Sequence, residues 1–301
     1  MAETPDWHPA RYLAPLYSPP SERPVLEALF GVESEVVASV RGGLEHQVAH
    51  IRLQWWREEC DRAAKGQAVH PFTKTLVEAF GSPAALAGIA GFVDTAVWDL
   101  AAATFETRRE VTAYCERWAT AMIVTAASHA AAEAPAVNGA APAGDAPTNS
   151  AAAGRAPRPG SFTRPAWLSL GAAMHEIEML ANLASEAQAG RLRVPLDELE
   201  NAGIDPDCVA RPPWPVGLNS LLTSRHQSLR AQVGRGVAEV ERDDQPNARG
   251  LLVWAALAWQ RSVRAERALP KPLSTLRFEA IADGWLAWRS ARRAMTGTFT
   301  I

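Results

Sequence analysis

Residues 48–62 read "VAHIRLQWWREECDR", two adjacent tryptophans inside a run of arginines and glutamates. On a helix, neighbouring residues lie about 100° apart. Trp55 and Trp56, with Ile51 and Leu53, then define a broad apolar arc, and Arg52, Gln54, Arg57, Glu58 and Glu59 fill the remainder. The expectation is a helix buried on a wide face of an α-bundle, with both tryptophans inside. An exposed stacking platform for nucleic acid would need a basic groove beside it, and a net charge of −3 does not suggest one.

Helical periodicity extends outward in both directions. In "PVLEALFGVESEVVASVR", 24–41, Val25, Leu29, Val32, Val36 and Val40 recur at helical spacing behind a proline suited to a first turn. Further helices are expected over 44–64, 70–81, 82–105, 107–132, 165–190, 216–242, 247–268 and 275–295. Residues 1–24, rich in proline and aromatics, read as an irregular arm. Residues 130–163 are almost entirely Ala, Pro, Gly and small polar residues. Such a tract has too little bulky apolar surface to offset the entropy of ordering it, so it reads as a disordered insert. No period-two strand pattern appears. The fold class is all-α, with 25–129 and 164–301 forming one helical domain.

Composition narrows the function classes. Hydrophobic residues make up 48% and charged residues 21% of 301, ordinary for a globular protein. The start, "MAETPDWHPARYL", lacks a cationic segment and an apolar core, so no signal peptide is expected. The longest clean apolar run, "LLVWAALAW" at 251–259, is about half of the roughly 20 residues a spanning helix needs. Cys60, Cys115 and Cys208 are scattered, which favours reduced thiols and a cytoplasmic place over a disulfide or zinc framework. In "HQVAH", His46 and His50 lie four apart, but Gln47 stands where a zinc protease needs its glutamate.

The order of "RYLAPLYSPPSERPVLEALFGVESEVV" (11–37), "IRLQWWREECDRAAKGQAVHP" (51–71), "GFVDTAVWDL" (91–100), "YCERWATAM" (114–122) and "AGRLRVPLDELENAGI" (189–204) resembles the squalene/phytoene synthase family. The resemblance covers about residues 11–210 apart from the insert, and weakly the end, 276–295. It implies a single isoprenoid-synthase-like helical bundle, in which the tryptophan block is a packing signature. It also implies an activity: joining two prenyl diphosphates head to head, with magnesium neutralising the departing diphosphate. Magnesium takes hard oxygen ligands, and the family supplies them as two aspartate clusters on facing helices.

Laid on that pattern, the first cluster is lost. Its two outer aspartates are Val37 and Arg41, with Ala38 between them, and a preceding arginine is Ser34. Glu33 and Glu35 lie on different helix faces and read as solvated charges. A magnesium ion about 4 Å from Arg41 would be repelled by roughly 8 kcal/mol at an effective dielectric near 20. The second cluster is altered rather than lost. Its Asn, Asp and Asp become Glu178, Asn182 and Glu186, which share one helix face and all carry oxygen. They read either as a polar stripe on a wet cavity or as one weak magnesium site, the diphosphate-facing set of an active enzyme. Nearby, Ala181 and Ser185 replace an arginine and an acid, Thr120 and Ile123 replace glycines that admit the prenyl chain, and Arg193 replaces the loop tyrosine. Asp94 and Asp99 match the family's paired aspartates in another helix and read as structural.

The chain thus resembles a degenerate branch of the family, that of the mitochondrial complex I assembly factor of this type and its bacterial relatives. The resemblance implies a pseudoenzyme with no catalytic residue and no certain cofactor. It would bind a prenyl or other lipid ligand or a protein partner, with peripheral contact at the inner membrane; a third reading keeps the tunnel for lipid binding alone. The basic end, "WRSARRAM" at 288–295, reads as a solvated helix face before a docking surface. The alternative is an active prenyltransferase with an altered Mg²⁺ site.

Overall fold

A computed structural model describes residues 9–40, 45–101, 104–132, 164–273 and 277–301. The described residues form helices joined by turns and loops, with no strand among them. In order they form α1 (Pro9–Tyr17), α2 (Glu22–Ala38), α3 (His46–Ala64), α4 (Pro71–Ala79), α5 (Gly91–Leu100), α6 (Arg108–Ala119), α7 (Thr125–Ala132), α8 (Arg164–Ala181), α9 (Leu183–Gln188), α10 (Leu196–Asn201), α11 (Val216–Ala238), α12 (Arg249–Ala268) and α13 (Arg277–Met295). Short 3₁₀ turns at Pro83–Ala90 and Pro206–Ala210, and one π turn at Thr120–Val124, complete them.

The arm expected over 1–24 is a correction where it is described, since Pro9–Tyr17 is a helix and α2 already begins at Glu22. Pro9 occupies a first turn, where a missing N–H removes nothing, and Pro15 falls in the last turns. Ala10 and Ala14, four apart, are buried. Their small side chains let α1 lie close on α12, where a Cβ on Gly250 would meet the Ala14 carbonyl at 2.8 Å. In α2, Val25, Leu29, Val32 and Val36 are all fully buried, as the spacing requires. Of the insert, Ala130–Ala132 continue α7, and 133–163 lie outside the described residues.

Helix α3 divides the two tryptophans. Leu53, Trp56, Cys60 and Ala63 point inward, with Trp56 4% exposed, whereas Trp55 is 40% exposed and Ile51 is exposed too. The apolar arc is narrower than expected because its centre runs through 53, 56, 60 and 63, and Trp55 lies about 100° behind it. Trp55 instead covers the edge of Trp56, ring centroids 5.1 Å apart, with Arg62 over its other side at 5.7 Å. The glutamates also part company. Glu59 is buried and accepts the N–H groups of Val69 (2.8 Å) and His70 (2.9 Å), the Thr73 hydroxyl, and Arg62 Nε (2.9 Å), pinning α4 onto α3.

The interior is organised around α8 and α12. Helix α8 packs against α6, α11 and α12, and α12 against α1 and α13 as well. Leu251–Ala258 is buried on every side. At Gly171 the chains come so close that a Cβ would stand 2.8 Å from Ile123 Cβ, so Ile123 fills the space between α8 and the π turn. No described helix is long and apolar enough to cross a membrane.

Candidate functional site

A cavity of about 160 Å³ opens between α2, α5, α6 and α8. Glu33 and Val37 line it from α2, Ala96 and Asp99 from α5, Tyr114 and Trp118 from α6, His175 and Glu178 from α8; Asn182, Glu186 and Arg193 follow. Ligand pockets for drug-sized molecules run to roughly 300–1,000 Å³, and an engineered cavity near 150 Å³ holds benzene. Phe92, Tyr114, Trp118 and His175 supply aromatic wall, and further rings pack behind Trp118. Trp118 stacks on His175 at 4.2 Å, meets Trp254 edge-on at 5.7 Å, and Phe30 closes on Trp254 at 4.9 Å.

The acid-bearing side is built by local chain geometry. Asn182 leaves helical dihedrals (φ −102°, ψ 12°), yet its N–H reaches Glu178 O at 3.2 Å, and the Glu186 N–H reaches Asn182 O at 3.0 Å. The helical phase survives, so Glu178, Asn182 and Glu186 stay on one side. After α9, Gly190 takes φ +81° and the Arg191 N–H returns to Glu186 O at 2.9 Å, a Schellman closure that reverses the chain. That reversal delivers Arg191 and Arg193 onto Glu186.

Each oxygen-bearing side chain of the row meets a guanidinium. Arg261 from α12 places Nε 2.7 Å from Glu178 Oε2 and donates from Nη2 to Asn182 Oδ1 at 2.9 Å. Glu186 accepts from Arg191 Nε (2.9 Å) and Nη2 (3.1 Å) and from Arg193 Nε (3.0 Å). Arg193 also holds Asp99 Oδ1 at 2.8 Å and lies 5.2 Å from the centre of the Tyr114 ring. Arg193 is 5% exposed. Burial alone would lower its pKa, but Tyr114, Asp99 and Glu186 outweigh it and raise it. Burial would raise the Glu186 carboxyl, and Arg191 and Arg193 bring it below the usual range. Burial pushes the Tyr114 hydroxyl well above its ordinary value.

These contacts bear on magnesium. Ligation needs free oxygen lone pairs, and here the row faces cations that remain charged at any ordinary pH. A divalent ion about 4 Å from Arg193 would be repelled by roughly 8 kcal/mol at an effective dielectric near 20. The residues present do not fit the family's metal cluster. Among the described residues, no three His, Cys, Asp or Glu side chains gather as a metal group.

The expected site residues distribute as follows. Glu178, Asn182 and Glu186 come together on the cavity wall, and Val37 stands at its rim, 41% exposed. Ser34 is exposed and does not line the cavity, and Arg41 lies outside the described residues. Glu33, expected to be solvated, is instead buried; it accepts Trp118 Nε1 at 2.7 Å and Arg11 Nη2 at 2.7 Å. Its i−1 neighbour Val32 belongs to the buried row, so the helix edge carries Glu33 inward. Asp99 is a wall residue, whereas Asp94 pairs with Arg57 at 2.6 Å. Arg261 carried no sequence signal, because its partners lie 79 and more residues away. His46 and His50 touch at 3.0 Å on an exposed turn of α3.

Fold and cavity together define an all-α isoprenoid-synthase-type bundle with an acid-and-arginine wall. The squalene/phytoene synthase profile matches residues 8–279, and the chain belongs to that family. Among solved structures it is similar to a dehydrosqualene synthase in complex with ligand (TM-score 0.68, 11% identity, 94% of this chain and 92% of that one). It is also similar to squalene synthase HpnC from Alicyclobacillus acidocaldarius (TM-score 0.61, 15% identity, 85% and 87%). At such identities the likeness shows the fold alone. A search of curated proteins finds no match.

Proposed function

We propose that this chain is a catalytically inactive member of its family that works by binding, its ligand a lipid or its partner a protein. One observation carries the reading: Arg193 and Arg261 already neutralise the row Glu178, Asn182 and Glu186, the place where an active enzyme gathers magnesium. Ionising a diphosphate needs charge stabilisation of several kcal/mol, and a row already held by guanidinium groups has little left to supply. The small aromatic-walled cavity points the same way. Respiratory complex assembly, and a peripheral place at the inner membrane, are the settings that the degenerate-branch resemblance brings to this reading.

The test is incubation of the protein and magnesium with radiolabelled farnesyl or geranylgeranyl diphosphate, followed by extraction of apolar product. No squalene, phytoene or cyclopropyl intermediate is expected. The competing reading, an active prenyltransferase with an altered magnesium site, rests on three oxygen-bearing side chains sharing one cavity wall. Turnover that disappears in Glu186→Ala would establish it and overturn ours.

A further inference from the structure

The C-terminal helix is built inside out. Its inner side is made of small residues, Ala287, Ser290, Ala291 and Ala294, all buried, and it packs against α12. Its large apolar residues face solvent. Ile281 (75% exposed), Trp285 (61%), Trp288 (38%) and Met295 (60%) are joined by Arg292 at intervals of four, three, four and three. That spacing is a single stripe along the helix. The two indoles stack at 4.8 Å, and Arg292 lies 5.2 Å from the centre of the Trp288 ring. Solitary exposed apolar residues are ordinary, but a contiguous aromatic stripe is not.

Between Ile281 and Met295 every exposed charged side chain is an arginine. Arg289 and Arg293 are exposed beside Arg292, and none of the three forms an ion pair within 4 Å among the described residues. Asp283 on the same helix is buried and held by Arg264 at 2.8 Å. The acids of the neighbouring turn, Glu239, Glu241 and Asp243, make no such pair with these arginines either. The helix dipole accounts for cations in the last turn; it does not account for tryptophans turned outward.

We propose that this outer face of α13 docks on an anionic lipid surface. Tryptophan settles at headgroup depth, and an apolar face flanked by arginines suits a helix lying in the plane of the interface. The arginine stems lie along the apolar zone while their heads reach phosphate. A second copy of this face is the poorer partner. An isologous contact repeats the same residues, and this helix face offers Arg289, Arg292 and Arg293 with no exposed carboxylate from Ile281 to Met295, whereas anionic headgroups complement them. The proposal deepens the peripheral-membrane part of the reading above and is independent of whether the cavity has activity.

The full chain is sedimented with vesicles of phosphatidylcholine, with and without phosphatidylglycerol, at low and high salt. Binding is expected on the anionic vesicles, weaker by on the order of tenfold or more on the neutral ones and at high salt. Trp285→Ser with Trp288→Ser should reduce it by a similar factor, and Arg289→Gln, Arg292→Gln and Arg293→Gln together should remove the preference for anionic lipid. These positions are exposed, so circular dichroism and thermal midpoint should be unchanged. Quenching of wild-type tryptophan fluorescence by brominated lipid is a second readout that does not depend on the variants' folding. Binding that both variants retain would overturn the α13 assignment while leaving peripheral attachment elsewhere. No binding to anionic vesicles would overturn both. A dimer in sedimentation velocity that the tryptophan variant dissolves, without vesicle binding, would show that a second copy covers the face.

Discussion

Replacing Arg193 with methionine removes the buried cation between Asp99 and Glu186 while keeping most of the side chain's volume. Two carboxylates then face one another across the cavity, where the guanidinium now stands 2.8 Å from each. Breaking a buried ion pair from one side costs about 3–5 kcal/mol. Glu186 keeps Arg191 and is 24% exposed, which places the loss near the lower end, about 3 kcal/mol. At about 2–4 °C per kcal/mol for domains of roughly 150–250 residues, and less for a longer chain such as this one, the thermal midpoint should fall by about 5 °C. The deficit should depend on pH. In the parent protein the Glu186 carboxyl lies below its unfolded value, so its contribution is present above about pH 4.5 and is lost as pH falls through the folded value. The variant lacks part of that contribution, and its deficit should therefore shrink as pH falls below about 4.5 towards the folded value. Adding Asp99→Asn, which neutralises the acid left without its cation while Glu186 keeps Arg191, should recover part of the loss. Magnesium supplies the sharper assay. Freed of Arg193, the acids become hard-oxygen ligands, and millimolar magnesium should raise the variant's midpoint but not the parent's. Equal midpoints for variant and parent at neutral pH, or a magnesium response in the parent as large as in the variant, would refute the reasoning that guanidinium stands in the metal's place.

Two further outcomes test the fold around this site. Trp56→Ala should cost on the order of 3–5 kcal/mol in urea unfolding, and Trp55→Ala markedly less, because only Trp56 is buried; equal losses would mean the helix is rotated. Burial first, then Arg230, pushes the His226 imidazole down to about 4, so its contribution is present above the unfolded value near 6.5 and is lost as pH falls from there towards 4. His226→Gln should flatten that acid limb of the stability profile, and an unchanged limb would show that another group titrates.

Helix positions were legible wherever apolar residues recur every three or four. The α2 row of Val25, Leu29, Val32 and Val36 is an example, because period and burial are the same fact on a helix. The first helix, Pro9–Tyr17, was not, since Ala10 and Ala14 are too small to announce a buried face and two prolines suggest a loop. The orientation of α3 was legible only to within one residue. An arc containing 51, 53, 55 and 56 can be centred in more than one way, and only the packing of the Pro83–Ala90 turn, α4 and α5 on α3 decides that Trp56 and not Trp55 is covered.

The row Glu178, Asn182 and Glu186 could be read from the sequence as one face, because i, i+4 and i+8 are local geometry. Its counterions could not. Arg193 reaches Glu186 through the chain reversal at Gly190, and Arg261 arrives from α12 across 79 or more residues. Glu33 likewise became a buried acceptor only when α6 brought Trp118 to it. Which acids exist and which side of a helix they share is set by residue order. Whether they face a free cavity, a metal or an arginine is set by which helices pack together, because electrostatic pairing is decided by distance in space.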